Sequence, residues 1–418
     1  MMAREFKDSG IEWIGRIPKE WNMQRLKSLC TIQTGNQDTQ DAEPDGIYPF
    51  YVRSPLIERS NKYSFEGEGI LMAGDGVGAG RVFHLATGKY AVHQRVYRLA
   101  NIKSININYL YYFVSNLFCR EMDRGSAQST VPSVRLPMLQ NFNICIPPKD
   151  YQQRIADYLD KKCGEIDELI ALQEQIIAQL TDYKQSVITE AVTKGLNPDA
   201  ELVPSGIDWI GDVPMGWKIV PLRYLGRTQN GISQSGDYFG EGFPFVSYSD
   251  VYKNYSLPSI FNGLAKSSKQ DQKLFSVLEG DVFFTRTSET IDEIGFSSVC
   301  LKTVENAVFA GFLIRFRPYK NKIDKNFSKY YFRSNIHRAF FVKEMNLVTR
   351  ASLSQELLKS LPVLLPPLSE QQSIATYLDT KCSEIDSLIA IKQQKIETLK
   401  EYKKSIIYEY VTGKKEVI

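Results

Sequence analysis

The stretch most suggestive of chemistry is "GDGVGAG" at 74–80. As a dinucleotide fingerprint it offers Gly74 and Gly76, but Ala79 takes the third glycine's place. The following "RVFHLATGKYAV" reads as strand, where that fingerprint requires a helix N-terminus to hold the pyrophosphate. As a phosphate loop it lacks the Gly-Lys-Ser/Thr ending. A glycine-rich turn between two strands is the reading that fits. The three histidines, His84, His93 and His337, have no paired-ligand spacing. The six cysteines, Cys30, Cys119, Cys145, Cys163, Cys300 and Cys382, contain no C-x-x-C pair and form neither a disulfide framework nor a zinc ribbon pattern. No Ser or Cys is singled out as a nucleophile. The chain therefore predicts no catalytic constellation and no metal site.

Composition sets the frame for the elements. At 418 residues, 43% hydrophobic and 24% charged, the chain is too long for one ordinary core and has a globular composition. Residues 1–10 lack the apolar run of a signal peptide, and no uninterrupted apolar stretch spans a bilayer, so a cytoplasmic protein without membrane attachment is expected. Lys and Arg outnumber Asp and Glu over 22–146 and 225–361; the balance reverses over 147–193 and 366–412. A polyanion partner for the two basic bodies is one reading, ordinary surface charge the other.

Two internal repeats organise the chain. "DSGIEWIGRIPKEW" (8–21) returns as "PSGIDWIGDVPMGW" (204–217), with Ser9/Ser205, Trp13/Trp209, Gly15/Gly211, Pro18/Pro214 and Trp21/Trp217 in register. A longer segment starting at Pro147 returns at Pro366, identical at more than half its positions. Duplication of this kind takes precedence over any single motif. The order is tag, body, long segment, twice over, which predicts 1–146 as first tag and body and 147–195 as a central helix. Residues 196–365 become linker, second tag and second body, and 366–414 a C-terminal helix.

The long segments carry apolar residues at heptad-like spacing. Leu159, Ile166, Leu180 and Val187 form one row, Leu169, Ile176 and Tyr183 the next, and Cys163, Ile170 and Ile177 widen the stripe. The second copy repeats this with Leu378, Ile385, Leu399 and Ile406, with Leu388 and Tyr402, and with Cys382, Ile389 and Ile396. Long amphipathic helices paired with each other as an antiparallel coiled coil are expected. Asp150 with Gln153 and Ser369 with Gln372 resemble capping boxes, and Gly195 and Gly413 sit where the helices should stop. Gln173 and Lys392, polar at stripe positions, either set register or are solvated. Each body holds short aromatic and β-branched runs ("YPFYV", "VYRL", "DVFF", "FLIRF") and ends in a helix-like stretch, so each is expected to be a mixed domain, α+β overall.

The order of tag, variable body and "PP..EQQ.IA.YLD" helix, twice over, resembles the specificity subunit of type I restriction–modification systems across nearly the whole chain. The most specific parts are "LPPLSEQQSIATYLD" and the matched tags; the first helix departs at Lys149-Asp150-Tyr151, against Leu368-Ser369-Glu370, which puts a local contact in doubt. The resemblance implies two target-recognition domains spaced by an antiparallel coiled coil with approximate two-fold symmetry. It implies a non-catalytic chain that reads a bipartite, asymmetric double-stranded DNA target. Two modification subunits would dock on the helices and bring in restriction subunits. No cofactor is implied for this chain; S-adenosylmethionine, ATP and Mg would belong to the partners. The loops it places at the groove are "LMAGDGVGAGR" (71–81) and "FFTRTSETIDEIG" (283–295); the segments before the long helices, "DRGSAQST" (123–130) and "NLVTRASLS" (346–354), offer further contacts to phosphates or bases. The DNA-contacting candidates are Arg81, Gln94, Arg95, Arg124, Gln128 and Ser129 in the first body, and Thr285, Arg286, Arg350 and Ser352 in the second. Leu159, Ile166, Leu169, Ile176, Leu180, Leu378, Ile385, Leu388 and Leu399 are the candidates for the coiled-coil and docking faces. Two rival readings stay open at this point: a duplicated coiled-coil adaptor holding two protein-binding domains, and a self-contained nuclease, which the missing carboxylate–lysine cluster disfavours.

Overall fold

The structure, a computed structural model, describes residues 4–125, 132–287, 294–345 and 352–417. It divides into two compact units, Met1–Glu174 with Gln393–Ile418, and Gln175–Lys392.

The first unit holds the first body. Its main sheet has four antiparallel strands in the order Thr31–Thr34, Val96–Ala100, Gly69–Ala73, Phe83–Ala86. A second sheet runs Glu58–Ser60, Tyr48–Tyr51, Lys89–Val92, Phe65–Glu66, with its central pair parallel. Helix Ile107–Gly125 packs on the main sheet, where Tyr109, Leu110, Phe113, Val114, Leu117 and Phe118 are fully buried in one core with Ile70, Met72 and Leu99. The strands that lead into and out of the body, Asn22–Arg25 and Asn143–Ile146, pair antiparallel and close it.

The second unit repeats the plan. Its main sheet has the order Gly226–Asn230, Leu313–Pro318, Val282–Thr285, Ser297–Val299, and Lys218–Pro221 pairs with Pro362–Leu365 at the closure. Its smaller sheet is three-stranded, with Phe239–Val246 parallel to Val308–Phe309. Helices Lys325–Tyr331 and Ile336–Met345 cover the main sheet. Two short helices, Tyr248–Lys253 and Lys269–Leu274, enlarge this body; reciprocal Ser247/Asp250 and Ser268/Asp271 capping boxes start them.

The repeated long segments are continuous helices, Lys149–Lys194 and Leu368–Val411. Each stops at a glycine in left-handed backbone, Gly195 (φ 75°) and Gly413 (φ 71°). In the first unit, the start of the first helix runs antiparallel to the end of the second: Tyr151 meets Glu416, Tyr158 packs at a tilt against Tyr410, and Asp167 pairs with Lys403. In the second unit the roles exchange, with Lys184 paired to Asp386 and Gly195 beside Glu370.

The seam corrects one expectation. Leu159, Cys163 and Ile166 are buried in the first copy, and Leu378, Cys382 and Ile385 in the second, but Leu169 and Leu388 are 42% and 46% exposed. The second row of the seam is the Cys163–Ile170–Ile177 line, not Leu169–Ile176–Tyr183. On a 3.6-residue helix, Ile170 lies roughly 40° to one side of Ile166 and Leu169 roughly 60° to the other, and the former side packs into the core. Ile176, Leu180 and Leu399 are half-buried at the margin. Gln173 is buried in the seam.

Candidate nucleic-acid interface and docking faces

In each body the loop leaving the third-ordered sheet strand meets a tight turn, and the same backbone hydrogen bonds build both. In the first body the turn is His93-Gln94-Arg95. His93 N–H donates to Tyr51 O, Gln94 N–H to Gln37 O, Val96 N–H to His93 O, and Gly74 N–H to Arg95 O, at 2.7–3.0 Å. In the second body it is Ala310-Gly311-Phe312. Ala310 N–H donates to Val246 O, Gly311 N–H to Ile232 O, Leu313 N–H to Ala310 O, and Arg286 N–H to Phe312 O, again at 2.7–3.0 Å. Two unlike sequences thus hold one frame, because these backbone bonds are common to both.

The glycines of "GDGVGAG" belong to that frame. Gly76 (φ 74°) and Gly80 (φ 64°) are in left-handed backbone, and a Cβ on Gly80 would lie 2.8 Å from Met122 Cγ. Gly295 (φ 72°) takes the place of Gly80 in the second body, pressed on Phe341. Gly80 N–H donates to Ala73 O and Gly295 N–H to Thr285 O, which fixes the correspondence of the two loops. The stretch is a strand–turn–strand connection.

The candidate residues distribute as follows. Arg95 is 65% exposed, its Nε 3.7 Å from Asp75, which also takes an ion pair from Arg53 at 3.0 Å. Gln94 is exposed and donates to Asp38 at 2.8 Å. His93 is buried; its Nδ1 accepts from Arg95 N–H and holds the turn. Arg81 pairs with Asp123 at 3.1 Å with both side chains open to water, a weak tie that leaves the guanidinium available. Arg286 stands at the base of the second loop with its Nε buried and without a hydrogen-bond partner among the described residues. Ser352 is exposed and bridges Thr287. Thr285 is a correction: it is fully buried, and its hydroxyl accepts Phe296 N–H at 2.9 Å, so it supports the loop from inside. Arg124 lies in the helix ending at Gly125; its side chain, and Gln128, Ser129 and Arg350 entirely, lie outside the described residues.

Below the loops, repeated residues fasten each body to its long helix. Gln152 accepts from Asn106 N–H at 2.7 Å and donates to Pro147 O at 2.8 Å. Gln371 accepts from Asp324 N–H at 2.8 Å and donates to Pro366 O at 2.9 Å. Both are buried, and each ties the start of its long helix to the start of the body's helix. Tyr112 donates to Asp160 at 2.6 Å and Tyr330 to Asp379 at 2.7 Å; burial and then the carboxylate hold both phenols well above their ordinary range. Sequence reading missed these clamps, although the "QQ" identical in both copies was their signal.

The tags receive the helix ends. Ser9 and Ser205 each accept the N–H two residues on, at 3.1 Å, and Gly15 and Gly211 close the turns in left-handed backbone. A Cβ on Gly413 would lie 2.5 Å from Pro18 Cδ, and one on Gly195 3.2 Å from Trp217, so only glycine fits where helix meets tag. Trp217 donates to Glu370 at 3.0 Å. In the first unit Tyr151 replaces that carboxylate, Trp21 Nε1 has no partner among the described residues, and Arg4 stacks on Trp21 (5.7 Å) and Tyr151 (5.6 Å) instead. This is the local contact that the Lys149-Asp150-Tyr151 departure put in doubt.

Each unit also leaves an apolar trio open on its helices. Leu169, Leu172 and Tyr402 are 42–55% exposed in the first; Leu388, Ile391 and Tyr183 are 46–60% exposed in the second. Among the described residues no helix is long and apolar enough to cross a membrane, and no group of three His, Cys, Asp or Glu could hold a metal.

Residues 18–182 and 214–401 match the family model described as the type I restriction modification DNA specificity domain. The chain is 22% identical to the EcoDI type I restriction enzyme specificity subunit of Escherichia coli, over 90% of this chain and 86% of that one. It is 25% identical to the MjaVIII specificity subunit of Methanocaldococcus jannaschii, over 96% and 94%. Its fold is similar to that of a chain solved for the "structural basis underlying complex assembly and conformational transition of the type I R-M system". That match covers 95% of this chain and 99% of the other, with a TM-score of 0.68 and 16% identity.

Proposed function

The chain belongs to the type I restriction–modification DNA specificity family, and from that premise we propose that its two bodies read unlike half-sites of one asymmetric target while its helices dock two copies of one methyltransferase subunit. It is the non-catalytic specificity subunit, which recognises the DNA target and assembles with methyltransferase subunits. The observation that carries the finer reading is the pair of turns at 93–95 and 310–312: one backbone frame, two unrelated sets of side chains. A duplicated frame serves a common task, and divergent side chains on it give different base contacts.

On this reading Arg95 and Gln94 contact bases from the first turn, and Arg81 contacts phosphate. Arg286 addresses a guanine in the second half-site, with Ser352 beside it; Arg124, Gln128, Ser129 and Arg350 contribute from the segments before the long helices. The trios Leu169–Leu172–Tyr402 and Leu388–Ile391–Tyr183 are equivalent docking patches, which suits two copies of one partner. Restriction subunits join through those partners. S-adenosylmethionine, ATP and Mg are bound by the partners, and the assembly works in the cytoplasm.

The test is to map methylated adenines produced by the complete complex, then measure binding across single-base variants of that target. Arg95→Ala and Arg286→Ala should each cost ~1–3 kcal/mol of discrimination at one base pair, in opposite half-sites. Loss spread evenly over all sequences would refute base reading by these residues. Binding that does not weaken with salt would refute phosphate contact altogether.

A further inference from the structure

We propose that Phe312 is a specificity residue of the second body, its ring seated against the 5-methyl group of one thymine in the second half-site. This rests on the DNA-reading function above and names a contact within it.

Phe312 occupies the turn position that Arg95 holds in the first body, fixed there by the matching bonds from Arg286 N–H and Gly74 N–H. It is 65% exposed, while Phe283, Phe284, Phe309, Phe316 and Phe327 of the same body are at 0–1%. A phenylalanine left in water on a turn whose backbone is bonded on both sides is not filling a core. Its neighbours remove polar chemistry from the turn: Ala310 and Gly311 stand where the first body has His93 and Gln94. Nor can the turn take a larger residue, because a Cβ on Gly311 would lie 2.2 Å from Ser233 Oγ and 2.9 Å from Ile232 O. The turn therefore offers one rigidly based apolar group, with Arg286 bonded through its backbone alongside. Among base edges in the major groove, the thymine methyl is the apolar feature such a group can read, and a phenylalanine ring loses little entropy in doing so.

The experiment uses the complete complex of this chain with its methyltransferase subunits, on duplexes carrying the mapped target. Each thymine of the second half-site is replaced in turn by deoxyuridine, which deletes only the methyl. At one position the wild-type complex should bind about four-fold more weakly, the ~0.8 kcal/mol of one buried methyl-sized group. Phe312→Ala should bind the thymine and deoxyuridine duplexes within a factor of 1.5, roughly, of each other, and Phe312→Leu should keep most of the difference. Indifference of the wild type at every thymine, a second half-site without thymine, or an undiminished deoxyuridine effect in Phe312→Ala would each overturn the proposal. The wild-type scan decides even if a variant folds poorly. Scrambling the second half-site is the control: if binding survives scrambling, half-site reading itself fails; if scrambling abolishes binding while deoxyuridine does nothing, only the Phe312 contact fails.

Discussion

Gln152 and Gln371 make the same two hydrogen bonds in the same places, whereas the turns above them, His93-Gln94-Arg95 and Ala310-Gly311-Phe312, share a backbone and nothing else. Where a body is clamped to its long helix the chain repeats the glutamine's two bonds; where it faces outward it does not repeat its side chains. The lesson is a division of labour within each unit. Fastening must be identical if one kind of partner is to dock twice, and reading must differ if the target is asymmetric.

The comparison breaks most visibly at the clamps. Gln152→Leu or Gln371→Leu leaves a half-buried backbone N–H and a buried carbonyl without partners, so each should cost about 2–4 kcal/mol, measured by chemical unfolding. The two losses should agree within about 1 kcal/mol, the uncertainty of such sums; a larger gap would mean that the clamps are not equivalent. Next come the open trios. Leu169→Asp and Leu388→Asp should leave the fold intact, since both side chains are exposed, and each should weaken one methyltransferase-subunit site by about 2 kcal/mol or more. Native mass spectrometry should read one bound partner in either single variant and none in the double; loss of both partners from one substitution would overturn the equivalence.

A smaller effect separates the bodies' helices by acidity. His337 is buried in the second body's helix, and burial pushes its pKa down to about 3, against the raising effect of its bond to Tyr331 O. The first body's helix Ile107–Gly125 has no histidine. Because the folded value lies below the ordinary one near 6.5, the neutral ring is fully favourable above that pH, and stability falls as the pH drops from 6.5 toward 3. Between pH 6.5 and 5 the second unit should lose about 1–2 kcal/mol that His337→Asn does not lose. Hydrogen exchange resolved by unit reads the difference, and equal acid loss in wild type and variant would contradict it. Smallest are the tag junctions: Glu370→Ala should cost about 1 kcal/mol, since one hydrogen bond is at stake, and Arg4→Ala about 1 kcal/mol in unfolding experiments, since its two cation–π stacks and its ion pair with Glu20 are partly exposed.

The sequence made the architecture legible wherever it repeated. The tags, the two helices and their glycine stops stand in the structure at Gly195 and Gly413. "GDGVGAG" read correctly as a turn because strand-like residues follow it. Periodicity could not choose between Leu169 and Ile170 as the seam's second row; both fit an apolar stripe, and only the packing in three dimensions decides. The Gln152 and Gln371 clamps escaped notice because a glutamine inside a helix looks like a solvated residue until its partners, some 46 positions earlier, are known. Phe312 escaped for the opposite reason: "FLIRF" reads as core strand, and its first residue is the one turned outward.

One consequence follows from how the units draw on the chain. The second is contiguous, Gln175–Lys392, whereas the first needs Gln393–Ile418 to meet residues more than two hundred positions upstream. During synthesis the later unit can finish folding on its own schedule, while the N-terminal body waits with an unmated helix and an empty tag until Gln393–Ile418 leaves the ribosome. The half of the protein made first is the half completed last.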